Sequence, residues 1–457
     1  MQPVQPPPVP GPAVPASTAG EPTAGEPSTD TLTAAVRRAL DGGPAVVPLP
    51  RVTSTPLPDG TALLVRTSGS TGTPREVALT APALRASATA THERLGGPGR
   101  WVLALPPTHV AGLQVVVRSV LAGTPLTAAE PGVRFAPETF ADLLDAALRD
   151  AGDDPVYASL VPTQVHRLVA AAAGGAPRGL RALARCAGVL LGGAATPPLL
   201  LRQAREAGVR VITTYGMSET AGGCVYDGVP LRDVRVRLAS PDASVPRDDA
   251  SVPRHGQAPR GSDSSGAVGV IELAGPTLAA GYVGDDAATA AAFRTGPGTG
   301  ERWFRTSDLG RVDPDGTLHV LGRADDVVVT GGENVAPAPV EALLGELLGG
   351  EACVVGVPDP EWGQALVAVV TASATSVLAL SSNPSHEDHV STHDDESRLR
   401  AVSDAELARV RAAVTTRLGG PSAPRRVYRA AALPVRGPGK VDRGGVVDLV
   451  REHEAHA

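Results

Sequence analysis

The stretch Leu63 to Thr80, reading LLVRTSGSTGTPREVALT, constrains the chain more than any other. Leu63, Leu64 and Val65 form a short apolar run that predicts a buried strand. Thr67-Ser68-Gly69-Ser70-Thr71-Gly72 follows, six small residues in a row. Two glycines free the backbone to turn its N–H groups inward, and four hydroxyls add donors, a concavity suited to phosphate oxygens. A polar hairpin turn is the other reading, because Ser/Thr/Gly clusters commonly serve as plain loops. No Gly-Lys-Ser/Thr ends the run, so it is not a Walker A loop. Val77 to Thr80 predicts a second strand.

With 457 residues there is room for two or three domains. Aromatic residues make only 3% of a chain that is 42% hydrophobic, so its core must be built from Ala, Val and Leu. The net charge of -7 argues against a general nucleic-acid binder, which would be basic. Cys186, Cys224 and Cys353 match no zinc or disulfide spacing and fit a reducing, cytoplasmic setting. No run of about eighteen apolar residues occurs, so no membrane span is expected. The start, MQPVQPPPVPGPAVP, has neither the basic end nor the apolar centre of a signal peptide. Its prolines predict a disordered tail over residues 1–29. Oligomeric state is left open.

Beyond the tail, strands alternate with helices. The pattern predicts helices over Asp30–Leu40 (capped by Asp30), Val110–Leu121, Pro137–Asp150, Pro162–Ala173 and Pro197–Ala207. It predicts strands over Trp101–Leu105, Val156–Leu160, Ala187–Leu191 and Val209–Thr214. This is an α/β layered domain with parallel pairing, whose ligands sit beyond the carboxyl ends of the strands. From Leu231 short strands (Val234–Leu238, Val268–Leu273, Leu318–Val320) predict a β-rich subdomain. Gly322–Gly332 reads as a connector. A small α+β C-terminal domain then has helices Val340–Leu348 and Asp404–Leu418 and strands Ala352–Val357 and Ala365–Thr371. The expected division is 30–323 and 324–457, with disordered insertions at about 240–265 and 376–400. His386, His389 and His393 in the second insertion read as a solvated acidic loop, since nothing there fixes a metal geometry.

Other stretches carry residues with chemical uses. Thr213 to Gly228 reads TTYGMSETAGGCVYDG. Glu219 and Thr220 are hard oxygen donors suited to Mg²⁺ and phosphate, or the segment is a strand and a helix capped by Ser218 or Thr220. In RTSDLGRVDPDGTLHVLGRADD, Arg305 to Asp326, the Asp308 carboxylate can accept two hydrogen bonds. DPDG there is a hairpin turn, and Asp325 doubles as an ordinary linker carboxylate. Gly331 and Gly332 in VTGGENVAPAPVE let a ligand approach backbone closely. Lys440 in PVRGPGKVDR would by itself be a solvated surface charge. His109 in PPTHVAG is either a satisfied buried histidine or a site group.

Taken in order, these stretches resemble the acyl-adenylate-forming superfamily. TSGSTGTP is similar to its phosphate-loop motif, with Pro74-Arg75-Glu76 where Pro-Lys-Gly is usual; Arg75 keeps the charge as a planar fork. The resemblance implies ATP, Mg²⁺ and coenzyme A as cofactor and co-substrates. It implies ATP phosphates on Thr67, Ser68, Gly69, Ser70, Thr71 and Gly72, Mg²⁺ on Glu219, and the α-phosphate on Thr220. Gly193, Tyr215, Gly216, Asp308 and Arg323 would hold the rest of the nucleotide. Asp325 would be the hinge of a mobile C-terminal domain, Gly331 and Gly332 the coenzyme A channel, Lys440 the catalytic lysine, and His109 a group on the acyl side. The implied activity is an AMP-forming acid–CoA ligase acting on a small carboxylic acid. YGMSETAGGCVYDGVPL and the short reach to the phosphate loop look most like the o-succinylbenzoate–CoA ligases of menaquinone biosynthesis. Aryl- or fatty-acyl-CoA ligases, and adenylation proteins that load a carrier's pantetheine, are the alternatives.

Overall fold

The computed structural model describes residues 28–67, 74–129, 133–240, 268–296, 300–371, 399–436 and 440–456. The proline-rich start, the loop residues Ser68 to Gly72, most of both insertions and the His386–His393 cluster lie outside the described residues.

A seven-stranded sheet organises the N-terminal part. Its order is Leu126–Ala128, Arg100–Leu103, Val156–Leu160, Gly188–Leu191, Val211–Met217, Gly222–Tyr226, Val229–Pro230. The first five pair in parallel and the last two antiparallel. Alternate side chains leave a strand on opposite faces, and the burial follows that period. Trp101, Leu103, Tyr157 and Leu190 join one core with the helices Thr29–Leu40, Ala81–Leu95 and Val110–Ala122. Val102, Val156, Ala158, Leu160, Val189 and Leu191 join a second core with the helices Pro137–Asp150, Pro162–Ala173, Arg178–Ala184 and Pro198–Glu206. The result is the expected helix–sheet–helix sandwich. Each leucine that fills it stabilises the fold by roughly 1.5–3 kcal/mol.

The β-rich subdomain is a sheet in the order Arg235–Ala239, Val268–Ala274, Arg302–Val312, Phe293–Thr295, with Leu318–Arg323 paired to Arg302–Val312. Thr61–Thr67, Arg75–Thr80 and Gly281–Tyr282 form a separate small sheet. The C-terminal part has a four-stranded sheet, Ala352–Asp359, Gly363–Thr371, Arg426–Ala430, Arg400–Ala401. Helices Pro337–Leu348, Asp404–Leu418 and Arg443–Ala455 pack on it.

Several sequence expectations need correction. The first helix starts at Thr29 and is capped by Ser28, whose hydroxyl accepts from Thr31 N; Asp30 is in its first turn. The strand expected over Val209–Thr214 runs Val211–Met217, so Tyr215 and Gly216 lie within it. Gly322–Gly332 is no bare connector: it ends one strand, forms a 3-10 turn at Ala324–Asp326 and opens a hairpin at Val328–Thr330. Arg400, expected in the second insertion, pairs with Arg429, and Leu399 is buried.

Candidate active site

Thr67 and Arg75 face one another as the last paired residues of two antiparallel strands. The Ser68–Gly72 run, outside the described residues, connects the ends of these two strands in sequence. The residue after Arg75 departs from the family motif, and the structure explains why a glutamate fits. Glu76 is buried, and its carboxylate accepts from Val52 N at 2.7 Å and from Arg51 Nη2 at 3.2 Å. It pins the segment before the first strand to the hairpin.

The parallel strands end along one edge. Gly192 and Gly193 follow the strand Gly188–Leu191, and Gly193 takes φ +83°, which favours glycine. Gly216 sits where a Cβ would collide with the carbonyl of Gly222 and lie 2.7 Å from Gly223 Cα. Only a glycine lets these two strands stay paired there. The strand then breaks into a single 3-10 turn, Ser218–Thr220, and the chain returns antiparallel. No capped helix follows. Thr220 is fully buried; its hydroxyl accepts from Met217 N at 3.0 Å and donates to the Gly222 carbonyl at 2.8 Å. In this arrangement Thr220 braces the turn that presents Glu219.

Glu219 is half-buried and receives a hydrogen bond from the Tyr282 hydroxyl at 2.9 Å. Burial holds its carboxyl above the ordinary range, while its own backbone, Tyr282, Arg75 and Arg323 pull the other way. Burial and the neighbouring Glu219 raise the Tyr282 phenol in turn. Tyr282 lies at the strand paired with Val77, under the Arg75 guanidinium 5.2 Å from its ring centre. Sequence reasoning missed it: a lone tyrosine in AAGYVG carries no motif of its own, and its link to Glu219 spans 63 residues.

Asp308 and Arg323 are register partners on adjacent strands. The Tyr215 hydroxyl donates to Asp308 Oδ2 at 2.7 Å, and burial, then Asp308, raises the phenol well above its usual value. Arg323 donates to Asp325 at 2.8 Å, tying the strand Leu318–Arg323 to the turn expected to be the hinge. Glu219, Tyr215, Asp308, Arg323 and Arg75 are thus linked through hydrogen bonds, register and charge at one end of the sheet. His109 is exposed at the N-cap of Val110–Ala122, its Nδ1 3.1 Å from Thr108 Oγ1, so the buried reading fails. Gly331 and Gly332 form the tip of the hairpin Val328–Thr330/Glu333–Val335, both with positive φ. Lys440 opens the short strand Lys440–Val441, paired with Val435–Arg436.

A divalent cation needs hard oxygen ligands, and Mg²⁺ is usually held by one or two carboxylates together with substrate phosphates. Among the described residues no group of three His, Cys, Asp or Glu forms a ready cage. The single Glu219 carboxylate near the base of the Thr67–Arg75 hairpin fits the substrate-completed kind of site. No described helix is long and apolar enough to cross a membrane.

Comparison with known proteins adds the family context. The AMP-binding enzyme model matches residues 12–283, and the AMP-binding enzyme C-terminal domain model matches residues 341–440. A probable 2-succinylbenzoate–CoA ligase of Mycobacterium tuberculosis is 37% identical over 436 residues, covering 92% of this chain and 95% of the relative. A 2-succinylbenzoate–CoA ligase of Listeria monocytogenes is 28% identical, covering 84% and 68%. Among solved structures, the o-succinylbenzoate CoA synthetase of Bacillus subtilis with its acyl-adenylate intermediate matches at TM-score 0.60 and 26% identity, covering 86% of this chain and 70% of that one.

Proposed function

The chain belongs to the AMP-binding enzyme family, and from that premise we propose that it is an ATP-dependent ligase joining 2-succinylbenzoate to coenzyme A. The observation that carries the reading is the Tyr215–Asp308 bond. It joins two nucleotide-binding stretches 93 residues apart, beside Arg323 and within reach of Glu219. The substrate comes from the ligase relatives and from the B. subtilis synthetase.

The first half-reaction joins the acid to AMP. The substrate carboxylate attacks the α-phosphorus of ATP, a P–O bond forms, and pyrophosphate leaves. Asp308 accepts the ribose hydroxyls, Tyr215 and Gly216 line the base, and Gly193 leaves room beside it. Thr67 to Gly72 supply donors to phosphate oxygens, where fixed dipoles aimed at growing charge lower the barrier. Glu219 would hold Mg²⁺ together with the ATP phosphates, and the ion would supply neutralisation of phosphate charge there. Lys440 completes the stabilisation, Thr220 secures the turn by the α-phosphate, and His109 stands on the acyl side. In the second half-reaction the C-terminal domain turns at Asp325, with the domain border at 323/324. Lys440 withdraws, Gly331 and Gly332 approach, the thiolate of coenzyme A attacks the acyl carbonyl, and AMP leaves. One site serves two reactions through domain motion. Three buried, unpaired cysteines suit a cytoplasmic enzyme.

The test is turnover of 2-succinylbenzoate with ATP, magnesium and coenzyme A, beside benzoate and fatty acids. The reading predicts 2-succinylbenzoate as the preferred acid. Strong turnover of the others with none of 2-succinylbenzoate would reverse the choice of substrate.

A further inference from the structure

Arg443 opens the last helix, three residues beyond Lys440. Its guanidinium reaches three separate elements. Nη1 and Nη2 form a two-point pair with Glu341 of the helix Pro337–Leu348, at 2.5 and 3.0 Å. Nη1 also donates to the Val354 carbonyl at 2.8 Å, and Nε to Asp326 Oδ2 at 3.0 Å. Glu341 is fixed from the other side by Val354 N at 2.8 Å. Asp326 is the last residue of the 3-10 turn that contains Asp325. On the Lys440 side, Asp442 N donates to the Pro434 carbonyl at 2.8 Å and the Asp442 carboxylate caps Gly445 N at 3.2 Å. The hairpin Val435–Val441 is therefore bolted to the start of the same helix.

We propose that Arg443 is a positioning residue that couples the hinge turn to the lysine-bearing hairpin, so that rotation at Asp325 carries Lys440 as part of one rigid body. A planar fork with five donors can hold a carboxylate at two points and still reach two further acceptors; an ammonium on a flexible stem cannot. The proposal rests on the reading of Lys440 as the adenylation lysine. The Gly331–Gly332 hairpin has its own anchor, Gly331 N to the Trp362 carbonyl at 2.9 Å, and does not depend on Arg443. Loss of the coupling should harm adenylation selectively.

The experiment measures both half-reactions in full-length Arg443→Lys, Asp326→Ala and Lys440→Ala, with ATP–pyrophosphate exchange for the first and thioester formation from supplied 2-succinylbenzoyl-AMP for the second. Arg443→Lys should lose at least tenfold in exchange kcat, with the KM for ATP within twofold and thioester formation within threefold of wild type. Asp326→Ala, which leaves the Glu341 pair in place, should move the same way by a smaller factor and carries the test if Arg443→Lys does not fold. Native exchange in both variants while Lys440→Ala is inactive would overturn the coupling alone. Parallel loss of both half-reactions with a lowered unfolding temperature would also overturn it, as a merely structural role. Native exchange in Lys440→Ala would remove the reading beneath the proposal, and the proposal with it.

Discussion

At the residue scale the site depends on small groups that fix larger ones. Tyr282 gives Glu219 its hydrogen bond, and a bond to a charged group is worth about 1.5–3 kcal/mol. Tyr282→Phe should therefore raise the magnesium concentration for half-maximal adenylation by at least about tenfold, since 1.4 kcal/mol is a factor of ten; a magnesium titration checks this, and an unchanged midpoint would deny Tyr282 the role. His92 offers a pH prediction remote from the chemistry. Burial, aided by Arg118, lowers its pKa to about 4. The unfolded chain then binds more protons between about 6.5 and 4, so stability must fall as pH drops through that window. The loss should be on the order of 1–3 kcal/mol, and His92→Leu should flatten that part of the pH profile in thermal unfolding. Tyr215, Glu219, Asp308 and Arg323 stand out in the sequence as polar residues in recognisable motifs, and the fold brings them together. Tyr282, Glu76 and Arg443 do not, because their partners are brought in from distant segments only by the fold.

At the element scale the regular parts of the sandwich were readable and the irregular parts were not. Pro137–Asp150 shows a clear apolar stripe, and its ends were marked by a proline and an aspartate. Helix Ala81–Leu95 is not legible in the sequence because its buried side is mostly alanine, serine and threonine with only one leucine, so no stripe stands out. The eleven-residue strand Arg302–Val312 is hidden in the sequence because charged and polar residues punctuate RWFRTSDLGRV. The strand pair at Gly216 is the most sensitive joint. Gly216→Ala would push a methyl group against the Gly222 carbonyl, and overpacking of this kind costs about 1–3 kcal/mol. We expect a lower unfolding temperature and an adenylation rate reduced at least tenfold, because Tyr215 and Glu219 flank the disturbed residue. Unaltered exchange kinetics in that variant would show that the strand tolerates the shift.

At the scale of the whole molecule, the proposed hinge is a turn of three residues, Ala324–Asp326, with Arg323 bonded to Asp325 on one side and Asp326 held by Arg443 on the other. Proline at 325 would fix φ near −65° and remove the backbone donor. Asp325→Pro should retain pyrophosphate exchange within about threefold and lose thioester formation by at least tenfold, as read by the two half-reaction assays. Equal effects on both would place the hinge elsewhere. The order of motifs made a large N-terminal and a smaller C-terminal domain legible; the bonds that clasp the Ala324–Asp326 turn were not, because Asp326 and Arg443 stand 117 residues apart. The central claim is that this site makes a carboxylic acid reactive by joining it to AMP. Its most direct measurement is mass spectrometry of the mixture formed by enzyme, ATP, magnesium and 2-succinylbenzoate with coenzyme A withheld. The account predicts 2-succinylbenzoyl-AMP and an equivalent of pyrophosphate, converted to thioester and AMP once coenzyme A is added. Absence of an AMP ester with 2-succinylbenzoate and with every other acid tried would contradict it.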